Sequence, residues 1–184
     1  MLTLDFDPFP ILQTERLVLR EIGYLDAQEI HVLRSDPRIM AYLDRDPDAS
    51  VEATSAFINR LKETQQNREG IVWGIALQGK RKLIGTAGFW RIDAGHRRAE
   101  IGYTIHPDHQ GRGYMHEALQ TILDYGWQRM NLHSVEANVN PNNAASIQLL
   151  ENNGFIKEGH FKENWYYNGK FLDSAVYSLL RSSE

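Results

Sequence analysis

β-Branched and leucine residues alternate in TERLVLREI (residues 14–22), which reads as a first strand. Between residues 26 and 68 the period changes. DAQEIHVLRSDP and DPDASVEATSAFINRLKETQQN space their apolar residues as helices do, with Asp48 or Ser50 as an N-cap and Pro47 beside it. IVWGIAL (71–77), KLIGTAGFW (82–90) and RAEIGYTI (98–105) then read as three strands, separated by turns at QGK after Leu77 and DAGH (93–96). After Gly113, apolar positions at Met115, Ala118, Leu119, Ile122 and Gly126 fall on one helical face. SVEANV (134–139) is a short strand. NPNNAASIQLLENNGF (140–155) predicts a helix that opens at an Asn cap and closes at a left-handed Asn153–Gly154 pair. Two long strands, around FIKEGHFKENWYY and KFLDSAVYSLL, end the chain across a turn at Asn168–Gly169. The order predicts one α/β domain over residues 1–184.

Composition narrows the class. With 42% hydrophobic and 24% charged residues in 184, the chain is neither disordered nor a membrane protein. No apolar run approaches the ~18 residues of a spanning helix. The N-terminal MLTLDFDPFPILQTERL carries acids where a secretory signal carries lysine or arginine. A soluble, cytoplasmic protein is expected. The net charge of −4, with both signs scattered, argues against a direct nucleic-acid partner. Cysteine is absent, which removes disulfides, thiolate metal sites and a cysteine nucleophile together.

HPDHQGRGYMHEA (106–118) sets two glycines around an arginine where a helix must start. Strand, glycine turn and helix N-terminus together make an anion site, because the first N–H groups of a helix lack internal partners. Arg112, His109 and His116 add charge nearby. Known phosphate motifs compete for this segment. A P-loop needs Gly-Lys-Ser/Thr, and Tyr114 follows Gly113. A dinucleotide fingerprint needs a small residue where His116 stands. A glycine turn without a ligand is the plain alternative.

Taken in order, several segments resemble the GNAT acyltransferases. TERLVLR resembles the opening strand, AEIGYTIHPDHQGRGYMHEAL the central strand, pyrophosphate loop and helix, and NVNPNNAASIQLLENNGF the next strand and helix. GHFKENWYYNGKFLDSAVYSLL resembles the tail of the RimJ/RimL branch, which acetylates ribosomal-protein N-termini. Met115 departs from the family pattern, which has a small residue there. The resemblance implies an α/β (α+β) fold: a mixed, mostly antiparallel twisted sheet of about seven strands flanked by about four helices.

The implied reaction moves acetyl from acetyl-coenzyme A (acetyl-CoA) to an amine. It needs an unprotonated amine, a stabilised oxyanion and a proton for the leaving thiolate. Direct attack in a ternary complex is expected. By the resemblance, Glu100 is the base, acting through water, against a plain reading as a strand glutamate paired with Arg97, Arg98 or a cross-strand cation. Ser146 is the acid, with water as its rival. In another branch a tyrosine one turn further on supplies that proton, and here the position is Leu150. The coenzyme is expected on Tyr103, Thr104 and Ile105 through the backbone, on Gln110, Gly111, Arg112, Gly113, Tyr114, Met115 and His116 at the loop, and on Asn143. Asn143 and Ser146 also suit the start of a helix.

His106, His109 and His116 do not form a recognisable metal set, so no metal is expected. Trp90, Trp127, Trp165, Tyr166 and Tyr167 read as core and sheet-face aromatics, the last three bordering the acceptor cleft. Residues 26–68 cover that cleft. Freeing an α-amine at pH 7 costs about 1 kcal/mol, a lysine amine about 5, which suits a single water-linked Glu to an α-amine. The resemblance points the same way, to a protein N-terminus as acceptor. Amino acids, polyamines and antibiotics are the alternative acceptors. A non-catalytic acyl-CoA-binding regulator and a module for another nucleotide are the alternative classes. A monomer or homodimer is expected.

Overall fold

The computed structural model describes residues 1–181. Eight strands form one sheet: β1 (Leu12–Gln13), β2 (Leu17–Arg20), β3 (Ile71–Leu77), β4 (Leu83–Asp93), β5 (Arg98–Ile105), β6 (Ser134–Val139), β7 (Ile156–Tyr167) and β8 (Lys170–Leu180). Their order is β1-β2-β3-β4-β5-β6-β8-β7. Every neighbouring pair is antiparallel except β5 with β6. Five helices accompany them: α1 (Ala27–Ser35), α2 (Pro37–Met40), α3 (Val51–Gln66), α4 (Tyr114–Tyr125) and α5 (Ala144–Asn152).

Side-chain alternation builds a core on each face. Leu17, Leu19, Trp73, Phe89, Ala99, Ile101 and Val135 point to one side, where α4 buries Met115, Ala118, Leu119 and Ile122. Ile22, Ala76 and Leu83 point to the other, under Ile30 and Leu33 of α1 and Ile58 of α3. Covered on both faces, β3 reads as an almost unbroken apolar run.

The structure adds one strand and one helix to those the pattern predicts. Both β1, of two residues, and α2, of four, are too short to show a period. The first strand is only Leu17–Arg20, because Thr14 and Arg16 turn to another task described below. Ser50 caps α3, accepting from Ala53 N–H at 3.3 Å, while Asp48 pairs with Arg34 at 2.7 Å. At the end of α5 only Gly154 is left-handed (φ 84°); Asn153 is not (φ −95°). Asn168 and Gly169 both have positive φ, the geometry that a two-residue hairpin between β7 and β8 requires.

Trp90, Trp165 and Tyr166 lie on the sheet face and not in the core, 50%, 53% and 63% exposed. Trp165 and Tyr166 lie on β7, the sheet's edge strand, which has no layer over it. Trp127 is partly buried against the α4 core.

Candidate active site

Strands β5 and β6 pair only from Arg98–Ser134 to Glu100–Glu136. Beyond that point β5 runs on to Ile105 bonded to β4, and β6 runs on to Val139 bonded to β8. The two strands therefore part. The edge of β5 toward β6, including the backbone of Tyr103, Thr104 and Ile105, has no strand partner on that side. Strand-like hydrogen bonding is left open to a ligand.

At the end of β5 a short 3-10 turn, Pro107–His109, leads into the glycine loop. Gly111 and Gly113 both take left-handed φ, 71° and 75°, and Gly113 is the N-cap of α4. A side chain would be strained at either position. At Gly111 the space a Cβ would take is open. The Glu117 N–H bonds to Gly113 O at 3.1 Å, so those of Tyr114, Met115 and His116 precede the helical ladder. Met115 is only 6% exposed and packs in the core. Its longer side chain thus leaves the loop to the backbone. Gln110 Nε2 turns back to Ile105 O at 3.4 Å, and Arg112 is exposed without an ion pair among the described residues.

The loop histidines differ from expectation. Burial, and then Arg112 and His106, hold His109 below the usual imidazole range, so it adds no charge near pH 7. Nδ1 of His109 and of His116 is buried without a hydrogen-bond partner. No group of three or more metal-ligating side chains gathers among the described residues.

Glu100 lies on the α1–α3 face of the sheet. Its side chain is 11% exposed, with Arg91 at 3.3 Å. Burial pushes its carboxyl above the ordinary glutamate range; Arg91 opposes this and Glu136 reinforces it. Of the cations the plain reading allows, the cross-strand one, Arg91 on β4, is the partner, and not Arg97 or Arg98. Arg97 instead bonds Asn131 O, and Arg98 pairs with Glu136 at 3.4 Å. A cleft of about 500 Å³ runs beside Glu100, lined by Arg91, Asp93, Arg98 and Glu136. Trp90 sits at a bulge of β4, and its ring covers Gly102, where a Cβ would come 3.2 Å from Cδ1. Bulges re-aim side chains in this way.

Ser146 lies on the opposite face. Its Oγ is 2.7 Å from Tyr103 Oη, and its N–H bonds the capping Asn143 Oδ1 at 3.1 Å. Burial raises the Tyr103 phenol to about 12, with Ser146 lowering it. The structure does not bring Glu100 and Ser146 into contact. It sets them on the two sides of the opening between β5 and β6. Leu150 is fully buried, as an apolar residue there should be.

The end of the opening is crossed by chain. Arg38 of α2 approaches Asp108 beside the glycine loop at 3.6 Å. Tyr167, at the tip of the β7–β8 hairpin, donates to Asp46 Oδ1 at 2.9 Å. Residues 38–46 therefore arch from one side of the opening to the other. Arg34 holds Asp48 through two hydrogen bonds, and the buried Thr54 donates to Asp48 at 2.8 Å. The ties of Arg38 to Asp108 and of Tyr167 to Asp46 have no local sequence signal, since those partners are far apart in the chain.

Residues 16–156 match the acetyltransferase (GNAT) domain. Over 176 residues the chain is 38% identical to the uncharacterized N-acetyltransferase YoaA of Bacillus subtilis, covering 96% of this chain and 99% of that protein. It is 30% identical to the spermidine N(1)-acetyltransferase of Vibrio cholerae, covering 91% and 94%. RimL, a ribosomal L7/L12 alpha-N-protein acetyltransferase solved in complex with coenzyme A, superposes with a TM-score of 0.85 at 24% identity, covering 93% and 98%. No helix among the described residues is long and apolar enough to cross a membrane. The parted strands, the glycine turn and these matches agree: the chain belongs to the GNAT family and is an N-acetyltransferase that uses acetyl-CoA.

Proposed function

We propose that residues 1–184 act as one domain that acetylates the N-terminal α-amine of a protein. The observation that carries this reading is the placement of Glu100 and Ser146 on opposite faces of the parted strands. The donor supplies the activated acetyl group. Backbone N–H groups from Gly111 to His116 hold its pyrophosphate, with Arg112 adding charge and Gln110 and Asn143 bordering it. Tyr103, Thr104 and Ile105 hold the pantetheine arm along the open edge of β5 and direct an N–H at the thioester carbonyl, where negative charge develops.

The amine enters from the Glu100 face, under the arch of residues 38–46. Its proton passes through water to the Glu100 carboxylate, whose raised pKa makes it the stronger base. The thiolate departs on the α5 face, where Ser146 Oγ delivers a proton and Tyr103 Oη, protonated at any working pH, supplies the serine in turn. The nitrogen loses its second proton to water as the amide forms, and water returns one to Tyr103. Base and acid never compete for the same proton because the sheet lies between them.

A single water-linked carboxylate suits an α-amine, which needs about 1 kcal/mol to be freed at pH 7. The likeness to RimL is in the fold. The identity to the spermidine enzyme supports a second reading, in which a polyamine is the acceptor. Both are tested by offering a serine-initiated peptide with an internal lysine together with spermidine at equal concentration. Mass spectrometry of the products is expected to place acetyl on the peptide α-amine. Acetyl mainly on spermidine would favour the second reading.

A further inference from the structure

The opening segment TER stands about one hundred residues from the glycine loop in sequence and has no strand role in the fold. In space it grips that loop. Arg16 Nη1 donates to Arg112 O at 3.0 Å, and its Nε reaches Glu117 Oε2 at 2.6 Å. Arg16 N–H donates to Glu117 Oε1 at 3.1 Å, and Thr14 Oγ1 donates to the same oxygen. The guanidinium lies over the Tyr114 ring, 4.8 Å from its centroid.

Two consequences follow from elementary geometry. A trans peptide is planar, and its C=O and N–H point opposite ways. Holding Arg112 O against Arg16 therefore turns the Gly113 N–H away from Arg16, into the open side of the loop. Secondly, Glu117 is an acid in the first turn of α4, where its charge would repel an incoming anion. Arg16 neutralises it. Burial pushes the Glu117 carboxyl up, but the bonds from Thr14 and Arg16 outweigh this and keep it ionised. Gly113 is also the position at which a side chain would press on the guanidinium, with a Cβ 3.4 Å from Arg16 Nη2.

We infer that Arg16 is a positioning residue for the donor's pyrophosphate: it sets the Gly113 amide toward the phosphate and screens the Glu117 charge. This rests on the glycine loop being the pyrophosphate site. Thr14 serves the same end by fixing Glu117. Arg16 need not touch the donor.

The test compares two donors. S-Acetylpantetheine has the thioester and pantetheine arm of acetyl-CoA but neither pyrophosphate nor nucleotide. The readout is the ratio of kcat/KM for acetyl-CoA to kcat/KM for S-acetylpantetheine, measured with one amine. Arg16→Ala is expected to lower that ratio about tenfold, through KM for acetyl-CoA, by loss of charge-assisted hydrogen bonds. Arg16→Lys keeps the charge near Glu117 without the fork that also spans Arg112 O, so it should fall between. It also carries the test if the alanine variant is insoluble. A ratio unchanged in the Arg16 variants, with Gly113→Asp lowering it, would overturn the role of Arg16 and leave the loop assignment standing. A wild-type enzyme with no preference between the donors would remove the loop assignment itself, and this inference with it.

Discussion

Tyr103 Oη lies 2.7 Å from Ser146 Oγ, joining the strand that borders the opening to the first turn of α5. Glu100, three residues earlier on the same strand, faces the other side of the sheet. On the proposed reading the pair of hydroxyls serves the leaving group and not the amine. Ser146→Ala should lower kcat by about 10²-fold, the lower range for loss of a general acid. Tyr103→Phe should lower it less. If Tyr103 acts through Ser146, the double variant will be no slower than Ser146→Ala. Fully additive losses would show that the two hydroxyls act independently.

Glu100→Gln separates activity from stability. The native base works while ionised, and it relieves the amine of its proton where protonated amine dominates. The variant should therefore lose most kcat at low pH and approach wild type as pH nears the amine pKa. An unchanged pH–rate profile would reduce Glu100 to a structural role. The stability sign runs the other way. The folded carboxyl titrates above its unfolded value, so ionisation at neutral pH weakens the fold, and this penalty fades as pH falls through the folded pKa. Thermal unfolding of Glu100→Gln at pH 7 should be no lower than wild type, as for other residues kept for function at some cost in stability.

Gly113→Asp should raise the apparent KM for acetyl-CoA by at least about tenfold and that for the amine much less. The added side chain would press on Arg16, with its Cβ 3.4 Å from Nη2, and a non-glycine residue at this φ is strained by about 1–3 kcal/mol, so the loop amides lose their set. Equal KM values for wild type and variant would contradict the loop assignment.

Tyr167→Phe removes the bond that ties the hairpin tip to Asp46. Because the arch of residues 38–46 covers the amine side, KM for the acceptor should rise about two- to tenfold, as expected for one hydrogen bond to a charged group in a partly exposed place. KM for acetyl-CoA should stay within about twofold. A larger effect on acetyl-CoA than on the amine would place the arch over the donor instead.

Much of this architecture is legible in the chain because its signals are local. The alternation in RAEIGYTI, the cap at Asn143 and the glycines at 111 and 113 each report the conformation of their own neighbourhood. The family resemblance then supplies the mixed, mostly antiparallel sheet that links them. What was not legible is long-range. Arg16 reads as one polar position of a strand, and its grip on Glu117 and Arg112 O depends on a meeting about one hundred residues apart. Tyr103 was expected to contribute only backbone, since nothing in a strand pattern says that its hydroxyl will meet a serine from α5. Trp90 was read only as a core or sheet-face aromatic. The bulge that turns it toward Gly102 needs a register the sequence does not state. His109 was counted as a charge, and burial, with Arg112 and His106 nearby, holds it below the usual imidazole range.

The most direct test of the account is the initial rate of coenzyme A release from acetyl-CoA with a panel of amines and a no-amine control. Peptides starting with Ala or Ser, free amino acids, polyamines and an aminoglycoside make up the panel. The account predicts release that depends on the amine, fastest with the peptides, and initial-rate lines that intersect when both substrates are varied, as direct attack in a ternary complex requires. Release no faster than the control with every amine, while acetyl-CoA still binds, would contradict it.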